Sequence, residues 1–449
     1  MSNKKKISII GLGYVGFPTL LILSNVKKNK RFLYSVSGIE KNNIQGQHIQ
    51  KSFYKRKKWI FSSDKKFNSL FEKTIKRNDT VITTDINKIH NSDIILVSIG
   101  FEANRNSELN FLNLCSQISK KIKKGALIIF ESTLPPGTCN NLILPIFKKN
   151  LEKRGSKLNN IFLAYSYERV TPGSNYIDSI ISSPRCYSGM NLASKKKCLY
   201  FLKSFIDTKK CKITEFNNLT ECEASKVLEN SYRAINIAFI DEWTKFAPKL
   251  KIDLLKIIDA IKLRSTHSNL MRPGIGVGGY CLTKDPNFIN YSAKKILKCK
   301  NKFPIINASI KINKEMPQTS LDYVKSKINI KNKKILIYGM TYKEETNDTR
   351  NSPSLDLIKS LLKNKAKISV YDPWVKINKV KSNKFKIHNK FNYNNDIIIF
   401  TVAHKNLKKI KFNKIKKKTK IFDLNNCLTK HQLDLLQKKK IRTNILGRN

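Results

Sequence analysis

Three glycines near the amino terminus constrain the fold of this chain more than any other feature. They follow the apolar run ISII at residues 7–10 and precede a second apolar stretch. In a GxGxxG segment between a strand and a helix, the glycines permit a tight turn, a close approach of the backbone to a pyrophosphate, and close helix packing. The segment therefore predicts a cofactor-binding turn made by Gly11, Gly13, Tyr14, Val15 and Gly16.

An acidic residue stands where such a site needs one. Glu40 ends the next strand-like run, at the position from which a carboxylate binds a ribose hydroxyl. Because a carboxylate repels the 2'-phosphate of NADP, Glu40 favours NAD as the cofactor.

Short continuous apolar runs alternate with helical patterns over residues 1–207. Continuous runs are typical of parallel strands buried on both faces. The runs lie at residues 7–10, 33–40, 93–100, 126–133 and 161–168. Long helical patterns follow from residue 220, and strand-like runs return at 334–339, 367–373, 395–402 and 420–426. The pattern predicts an α/β protein with two Rossmann-like doubly wound domains, 1–207 and 319–449, joined by a central helical region, 208–318.

The amino terminus also imitates a secretion signal, because basic residues precede an apolar run. The glycines interrupt that run, and no small-residue cleavage site follows cleanly. We therefore expect no signal peptide, and no other segment predicts membrane insertion.

The composition is strongly basic, with 87 Lys and Arg against 32 Asp and Glu and a formal net charge of +55. Such a charge can indicate nucleic-acid binding. However, the lysines are spread along the whole chain, and the basic runs 4–6, 416–418 and 438–440 are short. We interpret the charge as a compositional bias that attracts anionic substrates and predict no specific nucleic-acid partner.

The nine cysteines are odd in number and include no CxxC pair, and no histidines stand at zinc spacing. They predict reduced thiols, a cytoplasmic protein and no metal site.

Cys281 differs from the other cysteines because it lies within GIGVGGYCLTKDP at residues 274–286. Glycines let a bulky substrate approach a thiol closely, and a cation such as Lys284 would stabilise the thiolate. This pattern indicates a nucleophile, although a small filler residue beside a glycine-rich loop remains the alternative.

The long helix predicted from residue 220 carries a polar stripe at helical spacing, made by Glu223, Lys226, Asn230 and Arg233. Apolar residues form the opposing surface: Ala224, Val227, Leu228, Ile235, Ala238 and Phe239. The stripe is either a solvated face or part of a site.

Taken together, these segments resemble the UDP-glucose/GDP-mannose dehydrogenase family, whose members oxidise nucleotide sugars with NAD. The resemblance covers nearly the whole chain. Its segments are GLGYVG, ESTLPPGT (131–138), YERVTPG (167–173), EASKVLENSYRA (223–234), GVGGYCLTKDP and TYKEETNDTRNSP (341–353).

The resemblance implies a role for each matching residue. It implies Cys281 as nucleophile, Lys226 as the cation that stabilises oxyanions, and Asn230 as an ordering partner. It implies Glu168 as the acid/base of thioester hydrolysis, with Asp285 and Thr133 sharing proton handling.

Binding residues are implied in the same way. Ser98 and Lys284 would contribute to cofactor binding. Substrate binding would fall to Arg350, Lys343, Arg264, Arg272 and Gly279. A homodimer through the middle helices is also implied.

Three departures from the family pattern bear on the substrate: Tyr167 replaces a proline, Ser98-Ile99-Gly100 replaces a Thr-Pro end, and Tyr280 replaces a histidine. The ERVTPG and RPG segments resemble those of the branch that uses UDP-N-acetylhexosamines or their uronates. The expected substrate is a UDP-hexose or a UDP-N-acetylhexosamine rather than a GDP-linked sugar. The expected reaction is a four-electron oxidation of the sugar C6 hydroxyl to the uronate, for surface polysaccharide synthesis. Two alternatives remain: a two-electron dehydrogenase of the 6-phosphogluconate or hydroxyacid type that does not use Cys281, and a nucleic-acid binder on a dehydrogenase scaffold.

Overall fold

The computed structural model describes residues 4–375 and 385–448. The chain divides into two compact units, of which the first comprises residues 1–229 and 288–302 and the second 230–287 and 303–449. The sequence pattern instead predicts three domains, and those domain boundaries remain a prediction.

The first unit is built on an eight-stranded sheet and a short two-stranded ribbon. Its strands are β1 Lys5–Ile10, β2 Lys27–Lys28, β3 Arg31–Phe32, β4 Tyr34–Ile39, β5 Thr80–Thr83, β6 Ile94–Val97, β7 Leu127–Phe130, β8 Phe162–Tyr165, β9 Arg185–Gly189 and β10 Ile213–Glu215. The sheet order is β10-β9-β8-β7-β6-β1-β4-β5. Neighbours pair in parallel except β8 with β9. The structure confirms two expectations for this unit: a strand leads into the glycine turn, and the sheet is doubly wound.

Helices cover both faces of this sheet. They are α1 Gly16–Asn25, α2 Ile44–Tyr54, α3 Lys65–Thr74, α4 Arg105–Lys121, α5 Leu144–Glu152, α6 Tyr176–Ile181 and α7 Leu192–Leu202. The apolar run that resembles a secretion signal is divided between β1, the glycine turn and α1, and almost all residues of α1 are buried. A helix that is apolar all round is stable in water only inside a core. Asn43, Asp64, Asn104 and Asn191 cap α2, α3, α4 and α7 by accepting backbone N–H bonds.

Four further helices follow along the chain: α8 Leu219–Leu250, α9 Leu254–Ile261, α10 Phe288–Tyr291 and α11 Pro304–Lys327. Residues 219–229 of α8 belong to the first unit and residues 230–250 to the second. The segment 288–302 returns to the first unit, where the Phe288 and Tyr291 rings pack on Phe101 with centroids 5.7 and 5.8 Å away.

The second unit carries a six-stranded sheet in which every pairing is parallel. Its strands are β11 Lys334–Tyr338, β12 Lys367–Tyr371, β13 Lys386–His388, β14 Ile397–Phe400, β15 Lys420–Asp423 and β16 Thr443–Ile445, in the order β13-β12-β11-β14-β15-β16. Helices α12 Pro353–Lys363 and α13 Lys430–Lys438 complete it. The second Rossmann-like sheet is therefore confirmed, and its central strands are buried on both faces.

No helix within residues 4–375 or 385–448 is long and apolar enough to cross a membrane.

Candidate active site

The glycine turn between β1 and α1 has the shape that a dinucleotide requires. A Cβ on Gly16 would lie 1.9 Å from the Gly11 carbonyl oxygen, so only glycine lets the helix start against the turn. A Cβ on Gly13 would meet nothing within 4 Å, so the space above the turn is open. Since the first N–H groups of a helix attract phosphate, this loop fits the pyrophosphate of NAD.

The other predicted cofactor residues surround this turn. The Glu40 carboxylate follows β4 and accepts a hydrogen bond from the N–H of Leu12, inside the turn. Burial raises the pKa of Glu40, and the backbone N–H groups of Leu12 and Lys41 oppose that shift. Tyr14 and Val15 form the remainder of the turn, where the Tyr14 carbonyl accepts a bond from the Tyr176 hydroxyl.

Beside the turn, the carboxyl ends of β6 and β7 hold a buried polar group that the sequence did not reveal. Ser98 donates to Glu131 over 2.8 Å, and Arg185 pairs with the other oxygen of Glu131 at 3.2 Å. The Glu131 and Arg185 side chains are 1% and 3% exposed. Burial raises the pKa of Glu131, although the charge of Arg185 and the hydroxyl of Ser98 lower it. Thr133 lies half-buried just beyond Glu131.

The polar stripe of α8 is not a solvated face in its first turns, because Glu223, Lys226 and Asn230 are buried. Arg233 is exposed, and so are Leu228 and Phe239 of the predicted apolar surface. Val227 and Ala238 of that apolar surface are buried, so α8 packs through residues of both faces near its start.

Glu223 explains part of that burial. Its carboxylate accepts the N–H groups of Gly137 at 2.7 Å and Cys139 at 2.8 Å, within the ESTLPPGT loop and the turn that follows it. Burial raises the pKa of Glu223 to about 7, while those N–H bonds and Cys139 oppose the shift. This carboxylate therefore holds the loop after β7 on α8.

Glu168 and Lys226 belong to the first unit. Glu168 is half-buried just after β8, and its carboxylate accepts the N–H of Val170. Lys226 is 7% exposed, with its ammonium 3.9 Å from Glu229 and 5.3 Å from the centre of the Tyr167 ring.

Cys281 belongs to the second unit and is exposed. Its carbonyl accepts the N–H groups of Lys284 at 3.1 Å and Asp285 at 2.9 Å, so the thiol stands at the head of a tight turn. Asp285 is fully buried, and its two oxygens accept from the Lys284 ammonium at 2.6 Å and the Asn230 amide at 2.7 Å. The carboxylate of Asp285 thus orients two other predicted site residues.

The glycines ahead of Cys281 let this loop lie directly on the segment 341–353. Gly279 has φ +82°, and a Cβ there would lie 2.6 Å from the Tyr342 ring. Its N–H donates to the Arg350 carbonyl at 3.1 Å, and its carbonyl accepts from the Asn351 amide at 3.0 Å. Two motifs far apart in sequence are therefore one surface in the second unit.

Arg350 and Lys343 lie on that same segment. Asp348 binds the Arg350 guanidinium through Nε at 3.0 Å and Nη2 at 2.5 Å, which fixes its direction. Burial lowers the pKa of Lys343, with Arg233 acting in the same direction and Glu344 against it. Arg264 follows the carboxyl end of α9 and precedes a short helical turn, Ser265–His267. Arg272 forms an ion pair with Asp259 at 2.5 Å.

The fold and these loops define a dinucleotide-binding α/β oxidoreductase with a second nucleotide-binding unit. Three domains of one family match the chain, and together they cover most of it. The NAD binding domain matches residues 5–200, the central domain 220–315 and the UDP binding domain 336–430 of the UDP-glucose/GDP-mannose dehydrogenase family.

Curated relatives agree with that match. A UDP-N-acetyl-D-mannosamine dehydrogenase of Methanococcus maripaludis strain C7 is 32% identical over 82% of this chain and 80% of its own length. An enzyme with the same name from Campylobacter jejuni is 29% identical over 92% of this chain and 99% of its own. The chain belongs to the UDP-glucose/GDP-mannose dehydrogenase family. It is an NAD-dependent nucleotide-sugar dehydrogenase.

Solved structures support the fold. The structure of a UDP-D-ManNAc dehydrogenase from Pyrococcus horikoshii has a TM-score of 0.80 at 23% identity and covers 99% of both chains. That of a UDP-N-acetyl-mannosamine dehydrogenase from Staphylococcus aureus has a TM-score of 0.79 at 23% identity, covering 99% of this chain and 98% of the other.

Proposed function

We propose that this enzyme oxidises the C6 hydroxyl of a UDP-linked N-acetylhexosamine to the uronate. The preferred substrate in this proposal is UDP-N-acetyl-D-mannosamine. The observation that carries the proposal is the exposed Cys281 at the head of a turn packed on the Arg350 segment. A thiol beside a nucleotide-binding surface suits a covalent intermediate on the sugar. The names of the relatives support the N-acetylmannosamine donor.

The first half of the reaction converts the C6 alcohol to an aldehyde. NAD held at the glycine turn would accept one hydride from C6 in each half of the reaction, so two NAD would be used per sugar. The Lys226 ammonium is proposed to stabilise the oxyanion that develops at O6, because a fixed cation in a water-poor site stabilises negative charge strongly.

The second half uses Cys281. Its thiolate adds to the aldehyde carbon to give a thiohemiacetal, and loss of the second hydride leaves a thioester. Asn230 and Asp285 hold the turn behind the thiol. Glu168 is proposed to take a proton from the water that attacks the thioester. Thr133 follows β7, the strand beside β8, and is proposed to share this proton handling. Each sugar then consumes two NAD and one water, and yields two NADH and three protons.

Substrate binding is assigned to the second unit. Arg350, fixed by Asp348, would meet the diphosphate, and Lys343 and Gly279 would line the same surface. Arg264 and Arg272 are further candidates for this role. The enzyme would act in the cytoplasm, and its product would supply an acidic sugar for the synthesis of surface polysaccharide.

We also propose a homodimer that uses the second half of α8. Phe239, Trp243, Phe246 and Leu250 recur at helical spacing, and all four are exposed. A continuous apolar stripe of this length is typical of a surface that another protein covers.

The decisive experiment measures NADH formed per sugar consumed, run to completion with UDP-N-acetyl-D-mannosamine, UDP-N-acetylglucosamine, UDP-glucose and GDP-mannose. Two NADH with one preferred UDP-linked donor is the expected result. One NADH per sugar, with activity retained in Cys281→Ser, would instead establish the two-electron reaction. No turnover with any donor would contradict the proposed substrate class.

A further inference from the structure

Arg169, the residue after Glu168, is held from two sides. Its Nε and Nη2 donate to the Glu229 carboxylate at 2.9 and 2.7 Å, and its Nη1 donates to the Pro184 carbonyl at 2.5 Å. Several hydrogen bonds to a planar guanidinium fix both its position and its direction. Arg169 therefore anchors the Glu168 segment on α8, which carries Glu229.

Tyr167, the residue before Glu168, is anchored on the same helix. Tyr167 is 1% exposed, and its hydroxyl accepts hydrogen bonds from Arg169 Nη2 at 3.0 Å and Ser225 Oγ at 3.1 Å. Both neighbours of Glu168 are thus attached to the helical turn that contains Lys226.

The Tyr167 ring also faces two cations. The Lys226 ammonium lies 5.3 Å and the Arg169 guanidinium carbon 5.1 Å from the ring centre. The negative face of an aromatic ring attracts a cation within about 6 Å, and more strongly when water is excluded. Glu229 attracts Lys226 from another side, at 3.9 Å. A four-carbon side chain with many rotamers is therefore restricted to few of them.

We propose that Tyr167, Arg169, Ser225 and Glu229, here called the Tyr167 cluster, position the Lys226 ammonium and the Glu168 segment relative to each other. The inference rests on the proposed roles of Lys226 and Glu168. It assigns a use to a residue by which this chain departs from the family pattern, since a proline at 167 would offer neither a ring face nor a hydroxyl.

The ring and the hydroxyl can be separated by substitution. Tyr167→Phe keeps the ring under Lys226, and we expect kcat within about threefold of the unmodified enzyme. Tyr167→Leu removes the ring, and we expect kcat to fall by about tenfold or more, with KM for the sugar within about twofold. A merely structural residue would change thermal stability without this separation of kcat from KM. A kcat of the Leu variant within about threefold of the unmodified enzyme would overturn the proposal.

A double-variant cycle tests whether the effect passes through Lys226. In the background of Lys226→Met, adding Tyr167→Leu should leave the residual kcat unchanged, because the side chain to be positioned is gone. A further tenfold loss in that background would show that Tyr167 acts elsewhere. If Tyr167→Leu does not fold, Tyr167→Met serves in the same cycle.

A third measurement does not depend on turnover. Residue-resolved acetylation followed by mass spectrometry should show Lys226 labelled at least about fivefold faster in Tyr167→Leu than in the unmodified chain. Lys195, paired with Glu215 at 3.3 Å in the same unit, serves as the control and should not change. An unchanged Lys226 rate would refute the positioning. If the enzyme turns over no nucleotide sugar, the proposed function fails while this labelling still decides the contact.

Discussion

Gly279 satisfies two requirements at one position: a positive φ and a close approach to the Tyr342 ring. Gly125 has the same φ, +82°, but a Cβ there would meet nothing within 4 Å. Comparing substitutions at Gly125 and Gly279 therefore distinguishes the cost of backbone strain from the cost of a steric clash.

Gly125→Ala is expected to cost about 1 kcal/mol of folding free energy and to leave kcat/KM unchanged. Gly279→Ala adds a clash with a ring and should cost at least about 2 kcal/mol, with kcat/KM lowered about tenfold or more as the Cys281 loop moves. Urea denaturation and steady-state kinetics measure both. Identical losses in the two variants would mean that Tyr342 yields to the added methyl group.

Glu223 should make stability depend on pH. Its pKa rises from 4.5 to about 7 on folding, so the folded protein holds this proton more tightly than the unfolded chain. The resulting stabilisation is complete below about pH 4.5 and is lost as pH rises through about 7.

Glu223→Gln cannot titrate, and an amide N–H₂ would oppose one of the two backbone N–H groups. We therefore expect the variant to be less stable than the unmodified protein at pH 5, with a difference that shrinks by up to about 3 kcal/mol between pH 5 and 8. Denaturation at several pH values follows the difference between the two proteins. A constant difference across this range would contradict the raised pKa.

At the scale of elements, the Glu131–Arg185 pair joins the end of β7 to the start of β9 inside the protein. Removing one partner of a buried pair leaves a charge without compensation. Arg185→Met should therefore destabilise the fold by about 3–5 kcal/mol, and Arg185→Met combined with Glu131→Gln should recover part of that loss. The measurement is chemical denaturation of the three proteins. A double variant no better than the single one would show that the pair contributes little.

Strands built from continuous apolar residues could be predicted from the sequence, because a strand that is buried on both faces needs apolar side chains on both. Each of the nine predicted strand runs overlaps a strand. The strands β2, β3, β5, β9, β10, β13 and β16 were not predicted, since they are only two or three residues long or mix polar with apolar residues.

Within the site, local motifs were predictable and distant contacts were not. The glycine turn and the Cys281 loop each occupy a few consecutive residues whose spacing carries the information. By contrast, Arg185 reaches Glu131 from another strand, and Glu223 reaches Gly137 from α8. Such pairs depend on topology, which single-sequence spacing does not specify.

At the scale of the whole molecule, the exposed stripe of α8 predicts the oligomeric state. A double variant, Phe239→Glu with Trp243→Glu, would place like charges on both copies of a symmetric interface and should convert a dimer to a monomer. Sedimentation velocity measures this conversion. Leu192→Glu, at a residue 63% exposed in the first unit, is the control and should leave the dimer intact. An unmodified protein that sediments as a monomer would contradict the proposed assembly.

The first unit takes its last segment, 288–302, from beyond a stretch that belongs to the second unit. That segment supplies Phe288 and Tyr291 to the core, and Ser292 hydrogen-bonds to the Pro136 carbonyl. During synthesis, the ribosome must therefore release well over half of the chain before the amino-terminal unit can complete its packing. A nascent chain stopped near residue 230 would contain the whole dinucleotide sheet and still expose the apolar surface that this late segment covers.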